Sequence, residues 1–202
     1  YLYDLSGKIP EAVYRPTIAP EYDYYYFISA FISTPKSWII ADAFGGVQAM
    51  DLDWNVLWTI TQFEHWTTCF LIQADQTLYQ GHYYGVTAYD LQTGTVQWNQ
   101  SFPAPVLSGV VLADRLVVAC SNGNLYTVPQ SGGTPTLFYT SPPINTMVPI
   151  PYTLAWVKHT LWCGDHRGTL TALDEAGQIQ TQFTLPTGGI MAIEPWNNAL
   201  YV

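Results

Sequence analysis

Apolar and polar residues alternate along this chain in short runs. The runs are rich in Val, Ile, Thr, Tyr and Trp, and Gly, Asn, Asp or Pro separates them. That is the pattern of half-buried strands joined by tight turns. No window of helix length keeps a 3.6-residue apolar period free of Pro or Gly, so no long helix is expected. The strands fall into groups of four. The first group is Tyr24–Ile32, Trp38–Ala43, Val47–Asp51 and Val56–Thr61. The second is Thr67–Gln73, Thr77–His82, Val86–Leu91 and Thr95–Phe102. The third is Leu107–Ala113, Arg115–Cys120, Asn124–Pro129 and Thr136–Thr140. The fourth is Tyr152–Val157, Thr160–Asp165, Thr169–Asp174 and Ile179–Leu185. Residues 1–5 and 8–14 read as two more strands, as do Gly189–Ile193 and Ala199–Val202.

The groups are copies of one unit, seen best in Tyr84–Trp98, YGVTAYDLQTGTVQW. Its anchor is the residue ending the third strand: Asp4, Asp51, Asp90, Pro129 and Asp174, at separations of 47, 39, 39 and 45 residues. A β-only period near 40 predicts four-stranded propeller blades. The Asp carboxylate can cap the N–H groups of the next turn. Gly7, Gly94 and Gly177 supply the positive φ this turn needs, and Asn55 is expected to do so in the first complete unit. The small residues Ala49, Ala88 and Ala172 allow close approach of neighbouring sheets. Trp58 and Trp98 are placed to wedge between blades. Leu137 and Thr181 stand near that position in the later copies.

The pattern G-x-x-x-A-x-D-x-x-T-G-x-x-x-W resembles the repeat of the pyrroloquinoline-quinone-like, or quinoprotein-type, β-propellers. One copy, Gly85–Trp98, fits once a residue is dropped from its strand, and the other copies are partial. The resemblance implies a β-propeller, and the repeat count gives an all-β fold of five blades in one domain, 1–202, with six blades and one poorly resolved repeat as the fallback. The blades are residues 22–61, 66–102, 107–140 and 152–185, with the fifth made from 189–202 together with 1–14. Counted round the ends, Leu200 to Leu2 spans four residues where Leu116 to Leu125 spans nine, so a piece of about five residues, the length of a hairpin turn, is missing between the ends in this reading. Pairing of Tyr1, Leu2 and Tyr3 with Leu200, Tyr201 and Val202 would complete the last blade, in one chain or between copies.

Charge and chemistry then narrow the function. A net charge of −9, from 6 basic and 15 acidic residues, argues against nucleic acid and anionic membrane surfaces. No apolar run reaches membrane-spanning length. A first residue of Tyr1 is expected of a chain that has lost a leader or belongs to a longer product. Few lysines and abundant Thr, Gln, Tyr and Trp lean towards an exported protein. Cys69, Cys120 and Cys163 are expected to be buried free thiols.

Quinoprotein enzymes are larger rings with adjacent cysteines, and this chain has no Cys-Cys pair, so no cofactor and no enzymatic activity is expected. Cys163, Asp165 and His166, with His82, lack a zinc-ligand spacing; a turn-capping Asp165 and a solvated His166 are expected. His65 and His159 have no informative carboxylate spacing, and Asn99–Ser101 forms a glycosylation triplet. The expected function is a scaffold for protein contacts, including contacts between copies of the chain. A lectin-like carbohydrate binder using Trp66, Trp156, Trp162 and Trp196 is the alternative. The aromatic run Tyr22–Phe27 places Tyr22, Tyr24 and Tyr26 on one strand face as a contact patch.

Overall fold

The computed structural model describes residues 28–43, 45–61, 67–143, 148–186, 188–196 and 199–202. Asp4, Gly7, Tyr1–Tyr3, the Tyr22, Tyr24 and Tyr26 patch, His65 and Trp66 lie outside the described residues, as do the strands predicted over 1–5 and 8–14.

Eighteen strands are described, and there is no helix among the described residues. The first sheet holds β1 (Ile28–Ser33), β2 (Ser37–Asp42), β3 (Val47–Asp51) and β4 (Val56–Ile60). The second holds β5 (Thr68–Ala74), β6 (Thr77–His82), β7 (Gly85–Asp90) and β8 (Val96–Ser101). The third holds β9 (Val106–Leu112), β10 (Arg115–Cys120), β11 (Asn124–Pro129) and β12 (Thr136–Thr140). The fourth holds β13 (Pro151–Val157), β14 (Thr160–Asp165), β15 (Thr169–Leu173) and β16 (Ile179–Thr184). A hairpin of β17 (Glu194–Trp196) and β18 (Ala199–Tyr201) ends the chain. Each four-stranded sheet is an antiparallel meander in chain order.

The first strands of successive sheets pack together, β1 on β5, β5 on β9 and β9 on β13, and β13 meets β17. These strands form the inner row. The fourth strands lie outermost and expose Val56, Leu57, Val96, Leu137, Ile179 and Phe183. The sheets thus stand as propeller blades. They number four complete blades and a two-stranded piece, and among the described residues no strand pairing closes the row.

The core lies between the sheets. Ile39, Val47 and Ala49 of the first sheet pack on Leu78 and Tyr89 of the second. Tyr79, Val86 and Ala88 of the second meet Leu116 and Val118 of the third, and Val117 and Leu125 of the third meet Leu154 and Leu161 of the fourth. A single meander offers two apolar faces and cannot bury either alone, so each sheet depends on its neighbours. The second and third strands are buried on both sides, which explains their near-continuous apolar sequence (Leu116–Cys120 is entirely buried).

One strand is misplaced by the sequence pattern. Gly189–Ile193 is not a strand, and the pairing begins only at Glu194. Gly189 packs against the backbone of His166, and Ile190 donates its N–H to the Asp165 carbonyl at 2.8 Å. The alternation there reflects Ile190 and Ile193 turning inward beneath the fourth sheet, where both are buried.

Leu116→Ala removes a fully buried side chain from the seam between the second and third sheets. It is expected to lower unfolding free energy by about 2–5 kcal/mol, measured by urea denaturation followed by tryptophan fluorescence.

Candidate interaction site

Connections alternate between two faces of the row. One face carries the turns between first and second strands and between third and fourth strands. The other carries the turns between second and third strands and the links from one sheet to the next.

On the first face the anchor carboxylates cap turns. Asp51 Oδ1 accepts from the N–H groups of Asp53 and Asn55 at 2.9 and 2.8 Å, and Oδ2 accepts from Asn55 Nδ2. Asp90 Oδ1 accepts from the N–H groups of Gln92 and Thr93 and from the Thr93 hydroxyl. Asp174 Oδ1 accepts from Ala176 and Gln178, and its Oδ2 from Gln180 Nε2. Hydrogen bonds to the ionised form hold two of these carboxyls below the ordinary aspartate value. Asn55 contributes most at Asp51, and Thr93 at Asp90.

The positive-φ residue of each turn is Gly94, Gly132 or Gly177, at 71°, 87° and 79°. In the first sheet it is Trp54, at 69°, and not Asn55. Trp54 donates its N–H to Asp51 O as the glycines do to their anchors. Asn55 instead continues the chain beyond the turn and caps it.

These glycines are the floor of the wedge. Trp58 of β4 lies over Gly94 of the next sheet, where an added Cβ would stand 2.8 Å from the ring. Trp98 of β8 lies over Gly132 in the same way, at 2.9 Å. Each indole N–H donates to the carbonyl of the residue after the anchor, Trp58 to Leu91 O at 3.1 Å and Trp98 to Gln130 O at 2.9 Å. The third seam does this with two residues. Phe138 lies against Gly177 with its backbone carbonyl and the edge of its ring, which carries no N–H; Arg115 sits over the Phe138 ring, at 6.0 Å from its centroid, and donates Nη2 to Glu175 O at 3.0 Å. Leu137 is exposed and is not the wedge: the fourth-strand bulge that the other sheets place opposite the two residues before the anchor falls two residues earlier here, opposite Leu125 and Tyr126, and Phe138 is the residue it leaves unpaired. Thr181 pairs with Ala172 as Trp58 pairs with Ala49 and Trp98 with Ala88.

The opposite face differs in chemistry. Asp42 and Asp165 are buried, and Asp165 Oδ1 accepts from the N–H groups of Arg167 and Thr169. His82 is buried with Nε2 3.2 Å from Thr87 Oγ1. His166 is half-buried, not solvated, because its Nδ1 accepts from Ile150 N–H at 2.9 Å. Beside exposed Thr61, Thr67 and Asn122, this face exposes several large apolar side chains. Tyr83 and Tyr84, at 49% and 54% exposure, form a T-shaped pair in the β6–β7 turn. Met191, at 72%, and Val148 lie in the links to the last two sheets, and Ile28 opens β1. The first face instead carries Asp51, Asp53, Asp75, Asp90, Asp114, Asp174 and Glu175 in its turns. Tyr83–Tyr84 was readable as two aromatic residues in a two-residue turn, a place where polar residues are the rule.

The remaining candidates are scattered. Cys120 and Cys163 are buried, Cys69 only half-buried, and all three are free. Burial pushes Cys69 up to about 11, and Cys120 and Cys163 up to about 12. Exposed His159 pairs with Glu175 at 2.9 Å, sixteen residues on. Among the described residues no group of His, Cys, Asp and Glu could hold a metal ion. Trp156 on β13 lies edge-on to His159, Trp162 on β14 stacks on Phe183, and Trp196 lies in β17, so they occupy unlike strand positions.

By sequence the chain matches no protein family and no curated protein. By structure it is similar to the β-propeller domain of Cps50 (Swd1) from Myceliophteria thermophila, with a TM-score of 0.71 at 15% identity, over 84% of this chain and 61% of that one. It is similar to the Pan2 WD40 domain of Neurospora crassa, with a TM-score of 0.67 at 11% identity, over 82% and 53%. BamB from Moraxella catarrhalis gives 0.63 at 13% identity, over 76% and 51%. The chain matches between half and about three fifths of these proteins' lengths, and at such identities the likeness shows the propeller fold.

Two outcomes test the site chemistry. Asp90 has a lowered folded pKa, so its cap stabilises above the unfolded aspartate value and is lost as pH falls through the folded one. The melting temperature of Asp90→Ala is therefore expected to lie below wild type at neutral pH, with the gap closing as pH falls below about 4. The raised thiols are expected to resist a disulfide reagent at pH 8 in the native protein, Cys69 reacting first, and all three to react in denaturant.

Proposed function

We propose that the chain is a non-enzymatic, five-bladed propeller scaffold of a single domain, exported, that binds protein through its apolar turn face. The contrast between the two faces carries this reading. One face exposes Tyr83, Tyr84, Val148 and Met191 with little charge around them, and the other presents a ring of carboxylates. Aromatic residues and Met are the side chains that protein interfaces concentrate and charged residues are those they avoid. Tyr22, Tyr24 and Tyr26 immediately precede Ile28, which begins on the apolar face, and extend it in this reading. The propeller neighbours support an interaction scaffold.

Residues 1–14 and the β17–β18 hairpin complete the fifth blade in this proposal. Tyr201 and Val202 are exposed, and among the described residues β18 pairs with β17 alone, which leaves its other side for Tyr1–Tyr3 in this reading. Pairing across two copies gives the self-assembled form. Sugar binding is less well supported, since a multivalent lectin repeats its pocket and Trp156 and Trp162 do not.

Tyr83→Ser/Tyr84→Ser is expected to reduce capture of a partner from source-organism extract at least tenfold with an unchanged melting temperature. Asp53→Ala on the opposite face is expected to leave capture intact. Equal capture by all three proteins would remove the assignment of the face. A glycan array is expected to stay blank.

A further inference from the structure

Each link reaches its sheet through one residue: Thr67 before β5, Pro105 before β9 and Ile150 before β13. In the third and fourth sheets the turn between second and third strands meets that residue. Ser121 N–H donates to Pro105 O at 2.8 Å, and His166 N–H donates to Ile150 O at 3.1 Å. The three link residues differ in where their own N–H goes, and a backbone N–H needs an acceptor. Thr67 donates to Ala43 O at 2.9 Å, and Pro105 has no N–H to place. Ile150 donates to the His166 side chain, at Nδ1, over 2.9 Å. Of the three, Ile150 alone relies on an acceptor that titrates.

A backbone N–H only donates, so the His166 ring must be neutral with Nδ1 bare and its proton on Nε2. A second proton, taken from water, puts N–H against N–H and removes the bond. The turn carrying His166 is held in other ways. Asp165 Oδ1 accepts from the N–H groups of Arg167 and Thr169, Gly168 N–H donates to Asp165 O, and Gly189 packs on the His166 backbone. The link has less to hold it. Among the described residues, the hydrogen bonds of residues 148–150 are the two to His166, and Val148 rests on Gly123 of the third sheet. Few charged or titratable groups face the ring. Asp165 and Arg167 flank it on its own turn, and the Tyr152 ring of β13 lies 6.1 Å from it. Residues 148–150 and 188–190 of the two links bring none, nor do Ser121–Gly123 beneath Val148.

We infer that His166 is a pH-sensitive latch on the apolar face: neutral, it holds the Val148–Ile150 link against the third and fourth sheets, and protonated, it lets the link go. Val148 is one of the exposed apolar residues of that face. Acid therefore takes apart the face between these two sheets and leaves the Tyr83–Tyr84 turn in place. The change falls in the range where histidine changes charge, roughly pH 8 to 5. The latch stands on its geometry, and its effect on binding rests on the scaffold reading above.

Amide hydrogen exchange followed by NMR tests it. Protection of the Ile150 N–H, corrected for the pH dependence of free-amide exchange, is expected to fall roughly tenfold from about pH 7.5 to about pH 5, the net worth of one hydrogen bond. Ser121 is expected to keep its protection. The fall is expected to share its midpoint with the titration of the His166 ring, and the contact between the Val148 methyls and Gly123 is expected to vanish with it. In His166→Gln, whose side-chain carbonyl accepts without titrating, both are expected to persist in acid. Wild-type protection that does not fall, that falls equally at Ser121, or that falls with another midpoint overturns the latch, and so does an equal fall in His166→Gln. Capture from source-organism extract is then expected to drop at least roughly threefold in acid for wild type relative to His166→Gln. Equal loss in both proteins overturns control of the face by His166. Capture that still requires Tyr83 and Tyr84 in that case leaves the scaffold reading standing.

Discussion

The structure depends on one contact, repeated from sheet to sheet: a ring laid over a turn residue that has no side chain. Trp58 on Gly94 and Trp98 on Gly132 bring the sheets close enough for Ala49 and Ala88 to be buried beneath the rings. The same rings satisfy a carbonyl that the neighbouring turn would otherwise leave to water. Apolar burial and hydrogen bonding are thus supplied by one side chain, at the rim, where the sheets splay most. Further in, Phe70 does a similar job by lying against both Gly81 of its own sheet and Gly109 of the next.

Each seam joins only neighbours, so stability is close to a sum of local terms, as in other repeat folds. The anchor carboxylates belong to the same logic. Asp51, Asp90 and Asp174 fix the turn so that its third or fourth residue can take a positive φ, and that residue is what the preceding sheet rests on. Where the anchor is Pro129 the carboxylate cap is absent, and the Gln130 side chain instead ties the turn to the Leu112 and Ala113 carbonyls.

Most strands were legible because a two-residue period between Gly, Asn and Asp turns is a strong local signal; Thr77–His82, Arg115–Cys120 and Thr136–Thr140 match their predicted ends. The seams were legible only where Trp marks them. Phe138 with Arg115 could not be read from spacing, because the bulge of the fourth strand falls two residues earlier than in the other sheets and the two residues come from different strands. Trp54 is not legible as the turn residue, because a bulky residue at positive φ runs against the usual preference for Gly or Asn, which points to Asn55. Gly189–Ile193 failed for a related reason: alternation records which side chains turn inward, and a packed link can alternate without pairing. The interaction face was the least legible, since it is assembled from turns distant in sequence, such as Tyr83–Tyr84 and Met191.

The Arg115–Phe138 pair means that the seams are not interchangeable. A sheet that presents Trp to its neighbour and one that presents Phe with a guanidinium differ in how far the ring extends and where the donor sits. A chain of near-identical repeats risks joining the wrong neighbours while it folds. Distinct locks at successive seams give each sheet its own address, so that the order of sheets in space follows their order in the chain.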